Sequence, residues 1–183
     1  MNRWNLYYYN MACVVASNSQ CYSRKIGAVL VKDKSIIATG YNGPARGIPQ
    51  CDCRQIRDGK NTYLPREDRI CPRRAHNYPS GKGLHMCIAE HAERNCIANA
   101  ARHGVCTKDS HIYLTCEIPC SNCLTLLINA GITSITVTKL NFYDQNGGYI
   151  IKHSNLTVQD YSNHNWLKGE GKIYDTYQEV TNE

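Results

Sequence analysis

The stretch 91–139, HAERNCIANAARHGVCTKDSHIYLTCEIPCSNCLTLLINAGITSITVTK, reads as helix, strand, helix, strand. Residues 91–103 form the first helix, stopped by Gly104 where a helix-ending glycine belongs. Residues 111–116, HIYLTC, are β-rich. A second helix runs from about 120 to 130 and stops at Gly131. The run 134–139, SITVTK, is again a strand. Outward toward the N-terminus, IGAVLVK (26–32) and SIIATGY (35–41) flank Asp33-Lys34 and read as a hairpin. Trp4, Tyr8, Met11 and Val15 recur at helical spacing, so residues 3 to 17 read as an amphipathic helix. Outward toward the C-terminus come a weaker helix, about 147–154, and a short strand near 156–160. The polar tail beyond 161 is expected to wrap the surface. A strand pair followed by alternating helices and strands predicts an α/β fold: three layers, α/β/α, around a five-stranded mixed sheet. We expect one domain over 1–183.

Residues 42–86 break the pattern. They hold five of the 6 prolines, many charges and three cysteines. So long an irregular stretch needs a function, or something other than a core to hold it. We take 44–87 as a cysteine-rich insertion.

With 183 residues and 42% hydrophobic content, the chain can bury one real core. No apolar run reaches the roughly 18 residues of a membrane span. MNRWNLYYYNMACVVA lacks the apolar centre of a signal peptide, so the Asn155-Leu156-Thr157 glycosylation match reads as chance. Eleven cysteines, an odd number, argue against a disulfide framework and for a reducing cytoplasm. Cys13, Cys96, Cys106 and Cys116 read as small buried hydrophobes. The net charge of +6 favours an anionic partner, nucleic acid or a nucleotide phosphate. The charge clusters at Arg24-Lys25 and from Arg54 to Arg74, and local clusters suffice for a nucleotide.

The chemistry is concentrated at His91-Ala92-Glu93 and Pro119-Cys120-Ser121-Asn122-Cys123. One histidine and a Cys-x-x-Cys pair supply three ligands to a four-coordinate zinc and leave the fourth position for water. Both motifs fall at helix starts, where free N–H groups and partial positive charge stabilise thiolates. Cys120 and Cys123 are three apart and share a face. His91 and Glu93 would not share a face in mid-helix, but at a helix start both reach the metal end-on. A closed structural zinc has no use for Glu93, so we assign it proton transfer. The pattern H-x-E…P-C-x-x-C is the signature of the zinc-dependent nucleobase deaminases.

Over roughly residues 1 to 160 the chain resembles the deoxycytidylate (dCMP) deaminases of phage or bacterial type, within the cytidine-deaminase-like fold. His91-Ala92-Glu93-Arg94-Asn95 and Pro119-Cys120-Ser121-Asn122-Cys123 are shared with several deaminase families. Gly40-Tyr41-Asn42-Gly43 and the cysteine-bearing insertion are more specific. The resemblance implies hydrolytic deamination of dCMP to dUMP, supplying thymidylate synthesis. It also implies a homo-hexamer activated by dCTP and inhibited by dTTP, with Mg2+ on the effector triphosphate. Cys21 and Cys51 match positions that hold a second, structural zinc in related phage enzymes. Cys71 and Cys87 would complete four thiolates, with Cys53 and His85 competing for the role; the alternative is unligated loop thiols.

Tyr41, Asn42 and Gly43 are candidates for nucleotide or effector binding, with Asn42 alternatively a turn asparagine. Gly43 would admit close backbone approach. Tyr143, at a strand end, packs either on the pyrimidine or sugar or on the rim. Arg102 either binds phosphate or balances its helix dipole. Arg24 and Lys25 are triphosphate candidates or a solvated pair. The competing function is a polynucleotide deaminase acting on tRNA or single-stranded DNA. That needs a channel of stacking aromatics, whereas Phe occurs once here and the added length is rich in cysteine. The expected partners are therefore small nucleotides, with no nucleic acid and no membrane.

Overall fold

The computed structural model describes residues 3–57, 60–63, 69–79, 81–168 and 172–174. Helix α1 (Arg3–Ser17) leads into the hairpin β1 (Gly27–Lys32) and β2 (Ser35–Tyr41). Asp33 and Lys34 both have positive φ, 49° and 60°, the two-residue turn whose twist matches a hairpin. The insertion carries a small separate hairpin, β3 (Arg54–Arg57) and β4 (Lys60–Tyr63), and a single helical turn, α2 (Pro72–Ala75). Then come α3 (Ala92–Arg102), β5 (Ser110–Leu114), α4 (Ser121–Asn129), β6 (Ile132–Val137), α5 (Gln145–Lys152) and β7 (Thr157–Asp160).

Strands β2-β1-β5-β6-β7 are the five expected, antiparallel across β2-β1-β5 and parallel across β5-β6-β7. The tail differs from expectation. β8 (Trp166–Lys168) and β9 (Lys172–Tyr174) add antiparallel to β7 and make a seven-stranded sheet. Leu167 pairs with Val158 and is buried, which anchors β8. Strands of three residues are too short to display a period of two, so the sequence pattern conceals them. The tail from 175 onward lies outside the described residues.

The sheet has a packed layer on each face. Along β1, Ala28 and Leu30 join the cluster with Ala92, Cys96, Leu124 and Leu127 of α3 and α4. Val29 and Val31 point the other way, to Tyr8, Tyr9 and Ala12 of α1. The alternation of a strand thus fills two cores at once. Two glycines set how closely the helices approach. A Cβ on Gly27 would collide with the Ala12 carbonyl of α1, and one on Gly40 with the Cys96 backbone of α3. These contacts centre the buried stripe of α1 on Tyr8, Ala12 and Ala16, leaving Trp4, Met11 and Val15 at its border.

Beneath α1, His111 sits between Ser134 Oγ (2.8 Å from Nδ1) and Thr136 Oγ1 (2.7 Å from Nε2). Burial drives its pKa down to about 3. Tyr113 donates to Asn5 Oδ1, which ties α1 to the same network. Two of the cysteines read as buried are exposed instead: Cys13 lies on the outer face of α1 and Cys106 in the loop after α3. Cys96 is buried and Cys116 half-buried, and no described cysteine is in a disulfide. Among the described residues, no helix is long and apolar enough to cross a membrane.

Candidate active site

Helix α3 leads into β5 and α4 crosses from β5 to its parallel neighbour β6; the two pack in one core cluster with their N-termini converging. His91 is the N-cap of α3 and Cys120 the N-cap of α4, with Cys123 in the first turn of α4. His91 Nδ1 lies 3.6 Å from Cys120 Sγ and 3.4 Å from Cys123 Sγ. The three donor atoms are all within 4.8 Å of one another. Tetrahedral zinc with Zn–N of about 2.0–2.1 Å and Zn–S of about 2.3 Å separates its N and S donors by about 3.6 Å. One imidazole and two thiols with these N–S separations fit a tetrahedral zinc ion. Hydrogen bonding from Cys123, then from His91, pulls the Cys120 pKa down to about 4. The hydrogen bond to Cys120 in turn raises His91.

Glu93 stands apart from that donor group among the described residues. It is buried, and desolvation raises its pKa while the charges of His91 and Arg24 oppose the rise. A carboxyl group shifted upward in this way holds a proton more readily than a free one, which suits a group that must take one up and give it back.

A second feature orients the thiol-bearing helix. Asp144, the N-cap of α5, accepts from Asn146 N and Gly147 N. Its Oδ2 also accepts from Ser121 N at 2.8 Å. One carboxylate therefore ties together the N-termini of α4 and α5, and the Ser121 bond leads the causes that lower its pKa.

The donors open onto a cleft of ≈ 360 Å³. Of the residues named from sequence, Arg24, Asn42, Glu93 and Tyr143 line it together with His91 and Cys120, and so do the thiol-bearing Cys21, Cys87 and Cys116. Asn42 is buried and its side chain is committed: Oδ1 accepts from Ile26 N (2.8 Å) and Nδ2 donates to the Arg24 carbonyl (2.9 Å). It holds the loop that presents Arg24. Gly43 and Glu90 exchange backbone hydrogen bonds of 3.1 and 2.9 Å, which brings the end of β2 beside His91. A Cβ on Gly43 would meet only the Tyr41 ring, at 3.7 Å, so no close packing within the protein demands glycine there. Tyr41 is exposed, and its carbonyl accepts from Asn95.

Lys25 and Arg102 are exposed and lie outside the cleft lining. Arg102 sits ten residues along α3 from Ala92, about 15 Å from the donor end of the helix. Sequence reasoning missed Arg73, Glu90 and Glu117, which also line the cleft. Nothing in a charge-rich stretch marks Arg73 out from its neighbours.

The insertion contributes Arg73, Gly81, Leu84 and Cys87 to the cleft wall. The Cys51 thiol hydrogen-bonds to Cys87 of that wall. That bond, then burial, then the nearby Cys71 and Cys21 thiols push its pKa up. His85 is exposed and packs edge-on against Tyr78. The Cys53 side chain lies outside the described residues.

Fold and site together define an α/β protein built on a His/Cys/Cys donor triad with a buried carboxylate beside it. The family model described as the cytidine and deoxycytidylate deaminase zinc-binding region matches residues 2–139, and the chain belongs to that family. It is 30% identical over 162 residues to a deoxycytidylate deaminase of Saccharomyces cerevisiae, covering 87% of this chain and 45% of the yeast protein. The chain thus spans under half the length of that relative. It is 31% identical to the deoxycytidylate deaminase of Enterobacteria phage T4, covering 74% of this chain and 77% of the phage protein. In fold it matches the dCMP deaminase of cyanophage S-TIM5, solved in complex with dCMP and dUMP. That match has a TM-score of 0.60 and 22% identity over 87% of this chain and 98% of the other.

Proposed function

We propose that this chain is a zinc-dependent hydrolase that deaminates dCMP to dUMP and so supplies thymidylate synthesis. The observation that carries this reading is the buried Glu93 beside the His91, Cys120 and Cys123 donors at the cleft. The similarity to proteins named deoxycytidylate deaminases supports the choice of nucleotide. Bound by these donors, zinc supplies a Lewis acid that brings the pKa of water toward about 7. His91 and two thiolates would hold it and balance its charge. Glu93 accepts a proton from the attacking water and delivers it to N3 of the pyrimidine; it then takes the remaining proton from the hydroxyl added at C4 and passes it to the amino group, so that the C–N bond breaks, the carbonyl forms and ammonia leaves. Ile26 and Ile118 line the same cleft and keep water away from the ring.

The test is ammonia release from dCMP, deoxycytidine, dCTP and a cytosine-containing oligonucleotide, side by side. Preference for dCMP is expected. Preference for the oligonucleotide would replace this reading with polynucleotide deamination.

The finer reading adds control by dCTP and dTTP, each with Mg2+, in a cytoplasmic homo-hexamer. Residues 1–183 would act as one deaminase unit with 44–87 inserted. The segment Gly40–Gly43, held beside the cleft by Glu90, is its local support. Saturation by dCMP should then be sigmoidal, steeper with dTTP and more hyperbolic with dCTP.

Two further outcomes follow from the metal chemistry. The Cys51–Cys87 thiol pair, with Cys71 and Cys21 near it, supports a second, structural zinc in the insertion, which has no core of its own to fix it; among the described residues only His91, Cys120 and Cys123 already stand at ligating distance, so binding here would draw the four thiols together. Metal analysis should find about two zincs per chain under the four-ligand rule. One zinc per chain, with Cys51 and Cys87 reacting freely with a thiol reagent in the native protein, would reject it. The second outcome concerns Asp144. Asp144→Ala releases Ser121 N and loosens the turn that holds Cys120 and Cys123. Affinity at the triad should fall about 10–100-fold, as is usual when a partner orienting metal ligands is removed. Competition with a chromogenic chelator measures this, and unchanged affinity would dismiss the role.

A further inference from the structure

Arg73 is 5% exposed, yet no carboxylate pairs with it among the described residues. Its Nε donates to the Lys82 carbonyl at 2.6 Å and one terminal nitrogen to the Pro79 carbonyl at 2.9 Å. These bonds spend two of the five N–H donors of a guanidinium, and the others have no acceptor among the described residues. Both acceptors are neutral, so they fix the planar fork without balancing its charge. A buried cation without a counter-charge is costly to fold. The side chain belongs to the wall of the cleft that contains His91 and Cys120. The missing anion therefore has a place to enter. Arg24 lines the same cleft but is exposed, so water and salt screen it.

We propose that Arg73, supplied by the insertion, binds the phosphate of a nucleoside monophosphate in this cleft and sets the preference for nucleotide over nucleoside. The proposal rests on the deaminase reading above. A guanidinium fork already held by two carbonyls meets a phosphate with little further ordering, and charge-assisted bonds of this kind are the strong ones. The cleft volume of ≈ 360 Å³ lies in the range of small-ligand sites. On this view the insertion completes the substrate pocket as well as housing a cluster of thiols.

The experiment compares the wild-type protein with Arg73→Gln and Arg73→Lys. The readout is the ratio of kcat/KM for dCMP to that for deoxycytidine. Arg73→Gln should lower this ratio about 10²-fold, mostly through KM, the usual scale for losing one partner of a buried charge pair. Arg73→Lys should recover part of it. An equal loss on both substrates would make Arg73 a scaffold residue and overturn the proposal, as would an unchanged ratio.

A second arm does not depend on turnover. dUMP should raise Tm more than deoxyuridine does, and that difference should vanish in Arg73→Gln. If the wild type fails to deaminate dCMP but keeps this Arg73-dependent dUMP shift, the deaminase reading falls and the phosphate assignment stands. If the dUMP shift survives in Arg73→Gln, the assignment is overturned even with full dCMP activity in the wild type. Inorganic phosphate and dCTP complete the series. A dCTP shift lost in Arg73→Gln while dCMP kinetics and the dUMP shift stay intact would give Arg73 to an effector and likewise overturn it.

Discussion

Replacing Glu93 with glutamine should abolish deamination while leaving the metal in place. The substitution keeps the shape and size of a side chain that is buried, so packing around α3 is preserved. What it removes is the ability to take up a proton and give it back. Glu93 is asked to do this twice in each turnover, at the attacking water and at the ring and leaving group. A single positioned acid–base group is worth about 10²–10⁴ in rate. The loss should reach several orders of magnitude because the amide can serve neither transfer. Zinc content should not change, since Glu93 lies outside the group formed by His91, Cys120 and Cys123. Ammonia release and zinc analysis on the same preparation settle the matter. If Glu93→Gln arrives without its zinc, the residue is a ligand or supports one, and the proton-carrying role is wrong.

The separation of roles at this site was legible in the sequence because it rests on short-range geometry. A histidine two residues before a glutamate, and two cysteines three apart, are each fixed by a helix start, and α3 and α4 begin at the motifs and end just before Gly104 and Gly131. The central strands were legible for a related reason: β1 is a nearly continuous apolar run, and β5 and β6 are short stretches of β-branched and aromatic residues that are mostly buried. What stayed hidden depends on distant pairings. β8 exists because Leu167 meets Val158, and no local pattern announces that. Asn42 had a local explanation as a turn residue, but its amide spans Arg24 and Ile26, sixteen and more positions away. Asp144 reaches Ser121 across twenty-three residues. Arg73 is an ordinary arginine until the fold buries it in the cleft wall with no carboxylate paired to it among the described residues. Cys13 and Cys106 mark the opposite failure. A residue type that is usually buried was read as buried, but their positions face outward.

Cys120→Ala should remove the zinc and the activity together, and the contrast with Glu93→Gln is what gives the pair its force. Cys120 stands at the N-cap of α4, and hydrogen bonds from Cys123 and His91 lower its pKa to about 4. A thiol lowered in this way gives up its proton to an incoming metal more readily than an ordinary cysteine. Alanine leaves only His91 and Cys123 from the triad. Two protein ligands fall short of the three that a catalytic zinc site retains. The helix start itself should survive, because its backbone is held by Asp144 through Ser121 and not by the Cys120 side chain. One zinc per chain should disappear from the metal analysis, and far-ultraviolet circular dichroism should stay unchanged. A separate zinc held by Cys21, Cys51, Cys71 and Cys87 should remain, which makes the count itself informative. Loss of both metals would mean that the two sites fold as one cooperative unit. Full deaminase activity in Cys120→Ala would remove the triad from the chemistry altogether.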